Sequence, residues 1–237
     1  MIRLMTAEVS GLRESEAFRK YLEEVPGFRR EKVLRLRREG DRALSLGAWL
    51  LVQQALEEAG YPRDLAPARG EHGKPEFQEI GEQFQFNLSH SGSRALCVVS
   101  HSPEGKAQAV GCDIQEIGEA DLRLAERFFT QEEAESVFAL ATPEERRERF
   151  YRLWVLKESF LKATGKGLTL GLGSFTVRTR PDGTAWVWGS MGRGYRLEEV
   201  TVAPGYRAAW CTAGEEAPRG VEEVRLGQPE DGLDKPG

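Results

Sequence analysis

The alternation of apolar and polar residues in the opening MIRLMTAEVS predicts a strand at the start of the chain. Polar, periodic material follows over residues 12–24 and stops at Pro26 and Gly27. REKVLRLRRE (30–39) has helical spacing and a basic surface. DRALSLGAWLLVQQALEEAG (41–60) is the clearest helix of the first half, with Asp41 at its N-cap and Gly60 as its stop. After a connector rich in Pro and Gly (61–74), strand-like runs are expected at 84–88, 94–100 and 107–117, with Ser-Pro-Glu-Gly (102–105) as a turn. The same order then recurs: helical spacing over 131–140 and 143–164, and strand patterns at 174–180, 185–188, 195–202 and 206–212. Pro181-Asp182-Gly183 and Pro204-Gly205 mark turns between them.

The repeated order implies an α+β fold built of two similar halves, each with helices packed on a small, mainly antiparallel sheet. The expected division is an N-terminal subdomain over 1–113, a C-terminal subdomain over 114–212, and a tail over 213–237. The tail is rich in Gly, Pro and Glu, a composition that predicts loose order.

Composition narrows the functional classes. Hydrophobic residues make up 40% and charged residues 30%, and no apolar run is long enough to span a bilayer. The N-terminus lacks the charged start, apolar segment and cleavage site of a signal peptide, so a cytoplasmic location is expected, with no membrane partner. Cys97, Cys112 and Cys211 stand singly in apolar runs and read as small buried hydrophobes, with neither disulfide nor zinc spacing. A net charge of -5 argues against nucleic acid as the main partner.

Five stretches could carry chemistry. In LWVLKESFLKATGKGL (153–168), Leu153, Leu156, Phe160 and Ala163 form one helical stripe, with Trp154 and Tyr151 on the charged side. Glu158 and Lys162 lie about 40° apart, and Lys157 projects about 100° from Glu158. The pair is either a surface ion pair, worth a few tenths of a kcal/mol, or a charged face turned into a cleft. In AVGCDIQEI (109–117), strand alternation puts Gly111, Asp113 and Gln115 on one face and sends Glu116 to the other. Asp113 either ends the strand as a cap or arginine partner, or meets Glu158 across a cation, for which hard oxygen ligands suit magnesium. FQFNLSHSGSRA (84–95) ends in small hydroxyls and an imidazole, Ser89 and His90, able to donate to phosphate or simply to satisfy a loop. EHGKP (71–75) sets Lys74 beside Pro75 in a turn. A fifth stretch, FRREKVLRLRREGDR (28–42), gathers seven basic residues, as a solvated face or as a site for phosphate or an acidic partner. No serine sits in a strand-turn-helix elbow, which argues against a hydrolase.

Together and in this order, EHGKP, FNLSHS, VGCDIQ and WVLKESFLKATGKGL resemble the Sfp-type 4'-phosphopantetheinyl transferases, with RFF (127–129) and SFTV (174–177) also in place. The resemblance runs over about residues 41–212. It implies a pseudo-twofold pair of subdomains with coenzyme A in the cleft between them. It also implies magnesium-dependent transfer of the phosphopantetheine arm to a serine of an apo acyl, peptidyl or polyketide carrier protein, with release of 3',5'-ADP. Carried over by position, Asp113 and Glu158 would be metal ligands, Glu158 also the base, and Lys162 a contact for the pyrophosphate. Lys74, Pro75, Ser89, His90 and Arg42, with Arg38, would hold the nucleotide end, and His72 would stack on adenine. The family's usual third acidic ligand is replaced by Gln115, which predicts weaker metal binding. A monomer is expected, because an internal pseudo-twofold supplies both walls of the cleft. Two other readings remain open: a catalytically weakened coenzyme A or nucleotide binder, and a nucleic-acid-binding module using residues 28–42.

Overall fold

The computed structural model describes residues 1–13, 15–70 and 73–226; His72 and the tail beyond Leu226 lie outside them. Strand β1 (Ile2–Glu8) forms where the alternation predicts it, with Leu4, Met5 and Ala7 fully buried. It pairs antiparallel with β5 (Arg94–His101), which forms a hairpin with β4 (Phe84–Ser91). Helix α3 (Glu39–Glu58) covers this sheet and buries Leu46, Trp49, Leu51, Val52 and Leu56 in its core. The helix starts two residues before the expected cap, so Asp41 sits in its first turn, where its charge still favours the helix N-terminus. Gly60, with φ +81°, ends it as expected.

The basic stretch is not one helix. After α1 (Glu16–Glu24), α2 (Gly27–Leu34) ends four residues short of Arg38, which is extended and begins α3. Past Val33, a continued helix would have only half-buried Leu36 among arginines and no apolar stripe to bury. Arg29 instead turns inward: its Nη2 donates to Ser45, its guanidinium lies 5.2 Å from the Trp49 ring, and burial pushes its pKa down to about 10.

In the second half, α4 (Arg123–Phe128), α5 (Gln131–Phe138) and α6 (Pro143–Thr164) precede a meander of β7 (Val177–Thr179), β8 (Thr184–Val187), β9 (Tyr195–Val200) and β10 (Tyr206–Ala213). Thr142 and Glu145 form a capping box at the start of α6, Pro143 takes its first turn, and Gly165 (φ +70°) ends it. The stripe Leu153, Leu156, Phe160 and Ala163 is buried. Leu156, Phe160 and Ala163 join one core with Phe175, Val177, Val187 and Leu197, and Leu153 packs with Phe129, Val137 and Phe150 in the next. The mixed α+β class with small antiparallel sheets is as expected.

Two expectations need correction. β6 (Val110–Glu116) belongs by chain order to the first half, yet it pairs with β10 and forms the edge of the second sheet, ordered β6-β10-β9-β8-β7. A boundary at 113 therefore cuts through a strand. The two sheets meet through side chains: Asn87 Oδ1, Ser89 Oγ and Ser91 Oγ of β4 accept the N–H groups of Cys112, Ile114 and Glu116 at 3.0, 3.4 and 3.0 Å. Nor is the first part of the tail loose. β11 (Val221–Glu223) adds parallel to β1, Arg3 and Arg94 pair with Glu222 and Glu223, and Leu226 reaches the first core. Its Gly and Glu content hid this, because the added strand is held by backbone bonds and ion pairs rather than an apolar face. No helix among the described residues is long and apolar enough to cross a membrane.

Candidate active site

Helix α6 crosses β6 at backbone contact, and this crossing builds the site. A Cβ on Gly111 would stand 2.2 Å from the carbonyl oxygen of Ser159 and 2.4 Å from the nitrogen of Ala163, so only glycine lets the helix lie this close. Ser159 anchors the same crossing, donating from Oγ to the Val155 and Ala209 carbonyls at 2.6 and 2.9 Å. One turn on, Lys162 Nζ reaches the strand and donates to Asp113 Oδ1 at 2.7 Å and the Cys112 carbonyl at 3.0 Å.

Asp113 is buried and its two oxygens are shared. Oδ1 also accepts from Ser89 Oγ at 2.7 Å, and Oδ2 accepts from the Gln115 amide at 3.2 Å. Glu158 lies one turn before Lys162 on the cleft wall. Burial pushes its carboxyl above the ordinary glutamate range, the Asp113 charge adds to this, and Lys162 only partly offsets it. Burial pulls the Lys162 ammonium down, but Asp113 and neighbouring Glu158 more than reverse this, so it stays protonated. The cleft, of about 270 Å³, is lined by Gly73, Lys74, Pro75, Asn87, Glu158, Leu161 and Lys162, with Gly165 and Gly167 at its lip.

Sequence reasoning therefore names residues that the fold brings together: Asp113, Glu158 and Lys162 from α6 and β6, and Lys74 with Pro75 from the hairpin of β2 (Ala68–Arg69) and β3 (Pro75–Glu76). Lys74 Nζ donates to the Val110 carbonyl at 2.9 Å, and burial lowers its proton affinity. Ser89 and His90 part company. They are neighbours on a strand, so Ser89 turns inward onto Asp113 and His90 outward to the surface. Desolvation, and then the charge of Lys162, push the His90 imidazole below its ordinary range, so it is neutral at pH 7. Arg42 sits in the first turns of α3 and donates from Nε to the Leu36 carbonyl at 2.8 Å. Lys157 is outside the cleft and fully buried, donating to Glu133 Oε1 and Oε2 at 2.8 and 2.6 Å and to the Phe175 carbonyl at 2.5 Å.

Three residues of the site were missed. Gly111 and Ser159 are legible only once helix and strand are known to cross, and Asn87 carries a signal in the N-x-S-x-S alternation of FNLSHS. Such alternation marks one strand face as a row of hydrogen-bonding pegs.

A family model for the 4'-phosphopantetheinyl transferase superfamily matches residues 109–211, the span of β6, α6 and the second sheet. The chain is 32% identical to the 4'-phosphopantetheinyl transferase Sfp of Bacillus subtilis over 89% of its own length and 91% of that protein. This chain belongs to the 4'-phosphopantetheinyl transferase family. It is accordingly a transferase. The relative psf-1 of Bacillus pumilus is 39% identical, over 65% of this chain and 62% of its own length. Among solved structures, the holo-[acyl-carrier-protein] synthase of Thermotoga maritima overlaps 46% of this chain and 64% of its own, with 20% identity and a TM-score of 0.37. The residues that carry the resemblance in the second half, VGCDIQ and WVLKESFLKATGKGL, are the two segments that cross at Gly111.

Proposed function

We propose that this transferase moves the 4'-phosphopantetheine arm of coenzyme A to a serine hydroxyl of an apo acyl or peptidyl carrier protein, with Mg2+ and with release of 3',5'-ADP. The observation that carries the reading is a cleft lined by a protonated lysine, Lys162, and a proton-hungry Glu158, with the buried Asp113 carboxylate holding Lys162 from behind.

The donor set fits a hard divalent cation. Burial first, and then the charge of Asp113, raise the proton affinity of Glu158, and a cation between the two carboxylates would offset both effects. Among the described residues no three His, Cys, Asp or Glu side chains cluster, so the third protein ligand in this reading is the neutral Gln115 carbonyl. Bound there by Asp113, Glu158 and Gln115, Mg2+ would offset negative charge on the pyrophosphate.

The chain's own residues do the rest. Lys162, fixed by the Cys112 carbonyl and Asp113, presents its ammonium to the pyrophosphate oxygens, where charge builds as the bond to 3',5'-ADP breaks. Glu158 takes the proton of the incoming serine, directly or through water, and its raised pKa suits it to that task. Ser89, which donates to Asp113 Oδ1, holds that carboxylate in place in this reading. Lys74, Pro75, neutral His90 and Arg42 hold the nucleotide end in this reading. The enzyme acts as a cytoplasmic monomer, without nucleic acid or membrane.

Incubation of an apo carrier protein with coenzyme A, Mg2+ and this enzyme is expected to give the phosphopantetheine adduct on one serine, read by mass spectrometry. Absence of the adduct across fatty-acid, polyketide and peptide-synthetase carriers would favour the coenzyme A binder and overturn the reading. Gln115→Glu adds a charged ligand, and the Mg2+ concentration for half-maximal rate is expected to fall by about tenfold. An unchanged requirement would remove Gln115 from the metal site.

A further inference from the structure

A second polar cleft lies on the far edge of the C-terminal sheet. It has a volume of about 480 Å³ between β7 and the helices α5 and α6, and its lining shares no residue with the transferase cleft. We propose that it is a second anion site, built to take an oxyanion, carboxylate or phosphate, against Arg149 and the outer edge of β7 at Thr179.

Most of the charges around it are paired, and the Arg180 guanidinium lies 5.0 Å from the Trp186 ring. Glu133 is neutralised by Lys157, with Nζ to Oε2 at 2.6 Å, and also accepts the Val177 N–H. Arg178 pairs with Glu132 at 3.3 Å. Behind the cleft, Arg152 and Arg207 share Glu199, and Arg207 also holds Glu148. Arg149 has no carboxylate in ion-pair range among the described residues. Its Nε and Nη1 donate only to neutral hydroxyls, Ser136 Oγ and Thr179 Oγ1, each at 3.2 Å. Desolvation, and then the neighbouring charge of Arg152, lower its proton affinity, and the more distant carboxylates of Glu133 and Glu199 only partly offset this. A half-buried cation in that position is stabilised by a bound anion.

The backbone contributes a donor. Trp188 N–H to the Thr176 carbonyl and Arg180 N–H to the Thr184 carbonyl put residues 176, 178 and 180 on the β8 side. Residues 177 and 179 therefore turn their backbone groups outward. Val177 N–H is taken by Glu133, which leaves Thr179 N–H directed away from β8 beside the Arg149 guanidinium. The Nε of Arg178 is buried without a hydrogen-bond partner, and the Trp186 ring forms a wall of the same cleft.

Titrating the ¹⁵N-labelled full chain with inorganic phosphate at constant ionic strength is expected to move the Thr179 amide and the Arg149 Nε–H signals along a saturable curve. Arg149→Met should abolish the saturable shift at Thr179, and Thr179→Val, which keeps the charge, should weaken the response at Arg149. A parallel titration with hexaglutamate identifies the source: saturation at tenfold lower concentration than phosphate assigns the site to an acidic polypeptide, and a response to phosphate alone assigns it to a small anion. Non-saturable drift with both probes, or a saturable shift that survives Arg149→Met, would overturn the proposal.

Discussion

Glu158→Gln is expected to lower kcat/KM for carrier modification by about 10²- to 10⁴-fold, the usual worth of a positioned general base, and at the same time to raise Tm at pH 7. Both effects come from one feature of the site. Burial, followed by the charge of Asp113, lifts the Glu158 pKa above its unfolded value. The folded state then binds this proton more tightly than the unfolded chain, so stability falls as pH rises from about the ordinary glutamate pKa through the raised one. Where the carboxylate is ionised that cost is present in full; glutamine has the same shape and no charge, and removes it. Rate as a function of pH should rise as Glu158 loses its proton, because the base acts only when ionised. A variant with full activity would exclude Glu158 as base, and a lower Tm would mean that its attraction to Lys162 outweighs repulsion by Asp113 and desolvation.

Lys157→Met has the largest expected effect on folding. Lys157 and Glu133 are both buried, and Glu133 also accepts the Val177 N–H at 2.7 Å and closes the capping box of α5 with Thr130. Removing the lysine leaves a carboxylate uncompensated among Phe129, Phe175 and the helix backbones, which costs about 3–5 kcal/mol of stability. Urea unfolding should report a loss of that size at pH 8. The double variant Lys157→Met/Glu133→Gln should recover part of the loss. A loss below about 1 kcal/mol at pH 8 would show that the pair is not a structural keystone.

Much of the site was legible before the fold was known. The 3.6-residue period separated Lys157 from the face of Glu158 and Lys162, and the structure sends it to Glu133 instead of the cleft. The period of two placed Asp113 and Gln115 together and sent Glu116 away, and Asp113 and Gln115 do touch, at 3.2 Å. The same period, applied to FNLSHS, would have separated Ser89 from His90; reading that stretch as a turn concealed the alternation. The basic run at 28–42 misled in another way, because its charges masked a chain that breaks at Leu34 and buries Arg29.

Local periodicity thus decided the order of elements, the buried stripe of α6 and the faces on which the charged residues lie, because burial of a side chain depends first on its own neighbours in sequence. The pairings were decided by the tertiary structure. That β6 leaves the first sheet for β10, that Gly111 admits α6 at backbone distance, that β11 returns to β1 and that Arg149 has no carboxylate in ion-pair range among the described residues each depend on which surfaces meet across long stretches of chain. Strand edges and unpaired charges carry the same residue types whichever partner they find, so no short-range pattern distinguishes the partner they take.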